Sequence, residues 1–143
     1  MIDIALVTRK LLLITTDLEA LSPIASKPQE TYLANPIDEV VAERYLERII
    51  GRMIDVNYHL LTESGHPPPP DYHQSFVQLG ALGVLDPAFA RRIASSAGLR
   101  NRIVHEYDAI DPAKVHEALQ TALPDIREYL TRVRNWTERG GTS

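Results

Sequence analysis

A chain of 143 residues, 44% hydrophobic and 24% charged, has the composition of an ordinary globular protein and can bury a core without disulfides or a structural metal. It has no cysteine, which excludes thiolate nucleophiles and zinc–cysteine sites and fits a reducing compartment, so cytoplasm is the expected location. A net charge of −4 excludes nucleic-acid binding by bulk electrostatics, so any such contact must come from a local cluster of cations.

The chain opens on a helix: Ile4, Val7, Leu11, Ile14, Leu18 and Leu21 advance by three and four residues and keep to one stripe. Asp3, Arg9, Lys10, Asp17 and Glu19 interrupt it too often for a membrane span, which needs about 20 nearly uncharged residues, or for a signal peptide. Residues 22–29 lose the periodicity and contain Pro23 and Pro28, so a turn is expected there. Asn35-Pro36 reads as an N-cap and first helical residue, with Asp38 and Glu39 where the helix dipole favours negative charge. From there Val41, Leu46, Ile49, Ile50, Met53 and Ile54 carry a second helix of roughly seven turns to about Leu61.

Residues 65–70 cannot be helical, because Pro67, Pro68, Pro69 and Pro70 lack N–H donors and constrain the residues before them. Tyr72 to Leu82 returns to helical spacing through Phe76 and Leu79, and Gly83 ends it. Asp86-Pro87 repeats the cap-then-proline signature and opens a helix toward Gly98. Asp111-Pro112 repeats it again, before the stripe Val115, Leu119, Ala122, Ile126, Leu130 and Val133, in which Pro124 is expected to kink or split the helix. No segment alternates polar and apolar residues over strand length. The expectation is one all-α domain over residues 1–143, an antiparallel bundle of about five helices with a frayed tail from 138 to 143.

Gly-rich phosphate loops, HExxH helices, EF-hand loops and GxSxG elbows are all missing, and no cofactor is expected. His59, His66 and His73 recur every seven residues, but the proline loop breaks any shared helical face, so they read as surface histidines and not as metal ligands. What remains is residues 91–107, which carry Arg91, Arg92, Arg100 and Arg102 and no acid up to position 102. Guanidinium groups suit phosphate oxygens by charge and fork geometry, although the same residues would also make a solvated basic helix face. If residues 99–106 are helical, Asn101 and His105 share a face one turn apart, Arg100 and Tyr107 share another, and Arg100 stands about 140° from His105. One chain therefore makes an awkward site, whereas two copies about a two-fold axis bring both sets together.

The string Arg100-Asn101-Arg102-Ile103-Val104-His105-Glu106-Tyr107 resembles the motif of the HepT family of HEPN ribonuclease toxins: arginine, four residues, histidine, one residue, tyrosine. The likeness covers most of the chain, through Arg44-Tyr45-Leu46, Asp55 and His59, a proline loop, Asp71-Tyr72, Phe76 and Asp111-Pro112 in that order. The run of four prolines departs from the family pattern. The resemblance implies a HEPN bundle acting as a homodimer, metal-independent RNA cleavage, and silencing by a small nucleotidyltransferase antitoxin of the MNT type that attaches AMP to the motif tyrosine, here Tyr107. Arg100 and His105 are then the catalytic pair. Histidine is the side chain best suited to proton transfer near neutral pH, so His105 moves a proton at the ribose 2′-hydroxyl or the leaving oxygen, and Arg100 holds the scissile phosphate. Asn101 orients the imidazole, Arg102 is a further substrate contact, and an AMP on Tyr107 sets a phosphate beside Arg100. The alternative is a non-catalytic helical partner of the nucleotidyltransferase whose arginines grip ATP or AMP.

Overall fold

In the computed structural model, which describes residues 1–141, the chain forms α1 (Ile4–Ala25), α2 (Gln29–Leu33), α3 (Pro36–Glu63), α4 (Tyr72–Leu82), α5 (Pro87–Ile93), α6 (Ser95–His105) and α7 (Pro112–Glu138), with no strand among the described residues. Each cap-then-proline signature starts a helix: the side chains of Asn35, Asp86 and Asp111 accept first-turn N–H groups, and the proline after each stands where no donor is needed. Asp71 caps α4 in the same way, through the N–H of Gln74.

The all-α expectation holds, with corrections. The first helix does not turn at residue 22 but runs through Pro23 to Ala25, and Pro124 does not split α7. Both prolines are exposed, as are Glu19 and Gln120 four residues before them, so water can reach the carbonyls that lose their backbone donors. Helix α2 is only five residues long, too short for a periodic signal, and the helix expected from Asp86 to Gly98 breaks at Ala94 into α5 and α6. At the tail, Glu138 is still helical and the N–H of Gly141 bonds to Trp136 O at 3.1 Å; positions 142–143 lie outside the described residues.

Polar ties set the helix directions. Lys10, Asp17 and Lys27 of the α1 side meet Asp55, Arg52 and Asp38 of α3, so the partner number falls as the α1 number rises and the two helices run antiparallel. Helix α7 is also antiparallel to α1, because Ser22, Ala25 and Lys27 meet Arg127, Gln120 and His116. Between these helices Ile14, Leu21, Leu46, Ile49, Met53, Phe76 and Trp136 belong to one buried cluster. Within it, Tyr129 Oη donates to Asn57 Oδ1 at 2.6 Å, with Met53 O a second acceptor at 3.1 Å. Asn57 Nδ2 donates to Ser75 Oγ (3.1 Å), and Ser75 Oγ donates to Tyr72 O (2.6 Å). This chain of bonds ties α7 and α3 to the first turn of α4, where the Tyr72 ring is presented. Helix α4 crosses α5 closely at Gly80, whose added Cβ would lie 3.0 Å from Ala90 Cβ and 3.1 Å from Pro87 Cα.

Candidate functional site

The motif residues leave α6 in different directions. Arg100 is half-buried, and its guanidinium carbon lies 5.4 Å from the centroid of the Tyr72 ring, a cation–π contact between α6 and α4. Its Nη1 donates to Asn101 Oδ1 at 3.3 Å, while its Nε is buried without a partner among the described residues. Arg100 and Tyr72 line a cavity of about 390 Å³ whose other wall is the polar face of α3 and Lys10 of α1. Arg44, Arg48 and Arg52 stand on that wall. Lys10 pairs with Asp55 at 3.0 Å and Arg44 with Glu47 at 3.2 Å, while Arg48 Nε and Arg52 Nη1 both reach the buried carboxylate of Asp17, at 3.0 and 2.7 Å.

These α1 and α3 cations were not among the expected site residues. The signal was present, because Arg44, Arg48 and Arg52 recur every fourth residue and so share a helical stripe, but Glu47 between them and Glu43 and Asp55 on either side hide it from a charge count. Conversely, the arginines of residues 91–107 do not form one patch. Arg92 forks onto Asp125 through Nε (3.4 Å) and Nη2 (3.1 Å) and stacks over Phe89, pinning α5 to α7. Arg102 is exposed and lines a separate cavity of about 460 Å³ with Lys114 of α7.

His105 is the last residue of α6, exposed, and not among the residues lining the Arg100 cavity. Asn101 shares the exposed side of α6 with it, yet the Asn101 amide oxygen engages Arg100 and makes no bond to His105 among the described residues. The helix ends before Tyr107, with Glu106 as C-cap (φ −128°, ψ 33°), so the helical face expected to join Arg100 to Tyr107 does not exist. Tyr107 is instead in the following turn, 67% exposed, on the edge of a cavity of about 620 Å³ lined also by Val40, Glu43, Ile103, Val104 and Ile110. Arg44 and Glu47 line both this cavity and that of Arg100, and form the ridge between them. Burial, and then the charge of Glu39, push the Glu43 carboxyl above its ordinary value. Beside it the α3 surface is apolar and open, with Ile37 73% and Val40 67% exposed.

His59 Nε2 accepts the N–H of Asp3 at 2.9 Å. Among the described residues no group of three or more His, Cys, Asp or Glu side chains is placed to hold a metal ion, and no helix is long and apolar enough to cross a membrane.

Comparison with known proteins identifies the fold and the family. A family model described as "Ribonuclease HepT-like" matches residues 14–133. The tRNA nuclease HepT of Aphanizomenon flos-aquae is 33% identical over 135 residues, covering 94% of this chain and 92% of that protein. Among solved structures, the cytosolic protein of unknown function YutE from Bacillus subtilis superposes with a TM-score of 0.85 at 14% identity, over 99% of this chain and 96% of that one. The tri-AMPylated Shewanella oneidensis HEPN toxin, solved in complex with its MNT antitoxin, gives 0.82 at 18% identity, over 94% and 99% of the two chains. The helical fold is therefore that of HEPN proteins, and the chain belongs to the HepT-like ribonuclease family.

Proposed function

We propose that this protein is the ribonuclease toxin of a toxin–antitoxin pair, cleaving RNA of the tRNA class without a metal through Arg100 and His105. The observation that carries the reading is the unbroken Arg100…His105…Tyr107 string on and just beyond α6, in a chain that aligns over 94% of its length with a tRNA nuclease. Chemically, Arg100 binds the scissile phosphate and stabilises the charge that builds on it, while His105 moves the proton of the attacking 2′-hydroxyl or of the leaving 5′-oxygen. Asn101 holds the Arg100 side chain, and Arg102 contacts substrate on the α7 side.

Within one chain Arg100 turns toward α3 and α4 while His105 projects outward, so the working pair is completed by a second copy about a two-fold axis. The exposed Ile37 and Val40 at the margin of the site supply apolar surface for that contact. Tyr107 is the residue that a nucleotidyltransferase antitoxin modifies with AMP. Its exposure suits it to that role, and the Arg44 ridge would take up the phosphate and lose its attraction for RNA.

The test is incubation of the purified protein with tRNA in excess chelator. Cleavage leaving 2′,3′-cyclic phosphate ends, with the all-DNA analogue untouched, is the expected result. Intact tRNA at every protein concentration would overturn the nuclease reading in favour of a nucleotide-gripping partner.

A further inference from the structure

Gly51 stands in the middle of α3, between Arg48 and Arg52, where glycine weakens a helix by adding backbone freedom and offering nothing to pack. Packing does not require it: a Cβ built there meets no atom within 4 Å. The glycine opens onto the cavity that Arg100 lines. Bare helix backbone between two arginines lets a ligand come closer to α3 than any side chain would permit.

The cations around it are held ready. Asp17 is 4% exposed and takes Nε of Arg48 and Nη1 of Arg52 at once, so two guanidinium groups share one carboxylate and one positive charge is left over in a fixed place. The Nη groups of Arg48 have no other partner among the described residues, and its side chain is 41% exposed. Across the cavity the ion pair of Lys10 is with Asp55, which is 60% exposed, and such a pair is readily exchanged for a stronger anion. Counting Arg44 and Arg100 as well, five cations face Glu47, Asp55 and the underlying Asp17. The excess is two positive charges in a protein whose net charge is −4. Guanidinium forks fixed from behind, with donors turned to an open cavity, suit phosphate oxygens.

Resting on the nuclease reading, we propose that this cavity is a flanking-nucleotide subsite. It holds an RNA phosphate neighbouring the scissile one on Arg48 and Arg52, with Lys10 as the outer cation and the RNA backbone passing over Gly51. The role is positioning: these residues bind substrate and touch no reacting atom.

The test is fluorescence anisotropy with a short, fully 2′-O-methylated RNA, which lacks the attacking hydroxyl and cannot be cut. Arg48→Gln should weaken binding about fourfold at about 0.15 M salt and flatten the slope of log K against log salt by about 0.7, the effect of one lost phosphate contact on a single strand. Gly51→Leu should raise the thermal midpoint, because leucine is the better helix former, and yet weaken binding at least as much by filling the cavity. Arg132→Gln, which removes an ion pair on α7, serves as the control and should bind as the parent does. Parent-like affinity and salt slope in both Arg48→Gln and Gly51→Leu, with binding lost in Arg100→Ala, would overturn the subsite and leave the nuclease reading standing. Weakened binding in both, from a protein that cuts no tRNA, would sink the nuclease and overturn the subsite's place beside a scissile phosphate, leaving only an RNA-phosphate site on α3.

Discussion

Tyr129→Phe should cost more stability than Asn57→Leu, although the second substitution removes more polar atoms. In Tyr129→Phe the hydroxyl disappears and Asn57 Oδ1, in a residue with no exposed surface, loses its donor. The lost bond contributes about 1 kcal/mol and the stranded oxygen about 2 more, so the expected loss is about 3 kcal/mol. In Asn57→Leu nothing is stranded: Tyr129 Oη keeps Met53 O at 3.1 Å and Ser75 Oγ keeps Tyr72 O at 2.6 Å. Losing both Asn57 bonds costs about 2 kcal/mol, and the extra apolar burial of leucine returns part of it, leaving about 1 kcal/mol. At roughly 4 °C per kcal/mol for a domain of this size, the midpoints should fall by about 12 °C and about 4 °C. The double variant should be more stable than Tyr129→Phe alone, because it removes the oxygen that the single change strands. Thermal unfolding followed by circular dichroism decides the order. A double variant whose losses simply add, or an Asn57→Leu protein less stable than Tyr129→Phe, would refute the reasoning.

His105→Ala and Arg100→Ala should each reduce tRNA cleavage by at least about a hundredfold while far-ultraviolet circular dichroism stays at the parent spectrum, and cleavage by His105→Ala at the parent rate would remove it from the mechanism. Mixing the two inactive proteins should restore part of the activity if the working pair comes from different chains, and sedimentation should show a dimer at the assay concentration. Tyr107→Phe should remain a nuclease but escape inhibition and gain no AMP mass after co-expression with a nucleotidyltransferase antitoxin; inhibition at the parent level would rule out modification at this position. Glu43→Gln should raise the midpoint at neutral pH. Burial lifts the Glu43 carboxyl above 4.5, so folding favours its neutral form: the native state is penalised as pH rises through the folded value, and the gain from glutamine should fade below about pH 4.5. Equal midpoints for Glu43→Gln and parent at pH 7 would contradict that sign.

Cap chemistry and helical period are local, and they were legible. Asn35-Pro36, Asp86-Pro87 and Asp111-Pro112 start helices because side-chain oxygen, missing N–H and fixed φ all act within one turn. The all-α class and the string from Arg100 to Tyr107 could likewise be read directly, since both are patterns of neighbours. Where local rules meet solvent they mislead. Pro23 and Pro124 do not end their helices, because the carbonyls they release lie on exposed faces, and exposure is a property of the packed bundle.

What the tertiary structure alone decided is which faces meet. Residue spacing assigns Arg44, Arg48 and Arg52 to one stripe, but only the antiparallel packing of α1 on α3 puts Lys10 and Asp17 against that stripe and turns it into the wall of a cavity. In the same way Arg92 and Arg102, close to Arg100 in sequence, are drawn off toward α7, and Tyr107 leaves the helix that was expected to carry it. The helical period fixes a side chain's angle about its own axis; its neighbours are set by contacts between residues tens of positions apart, and no window along the chain contains them.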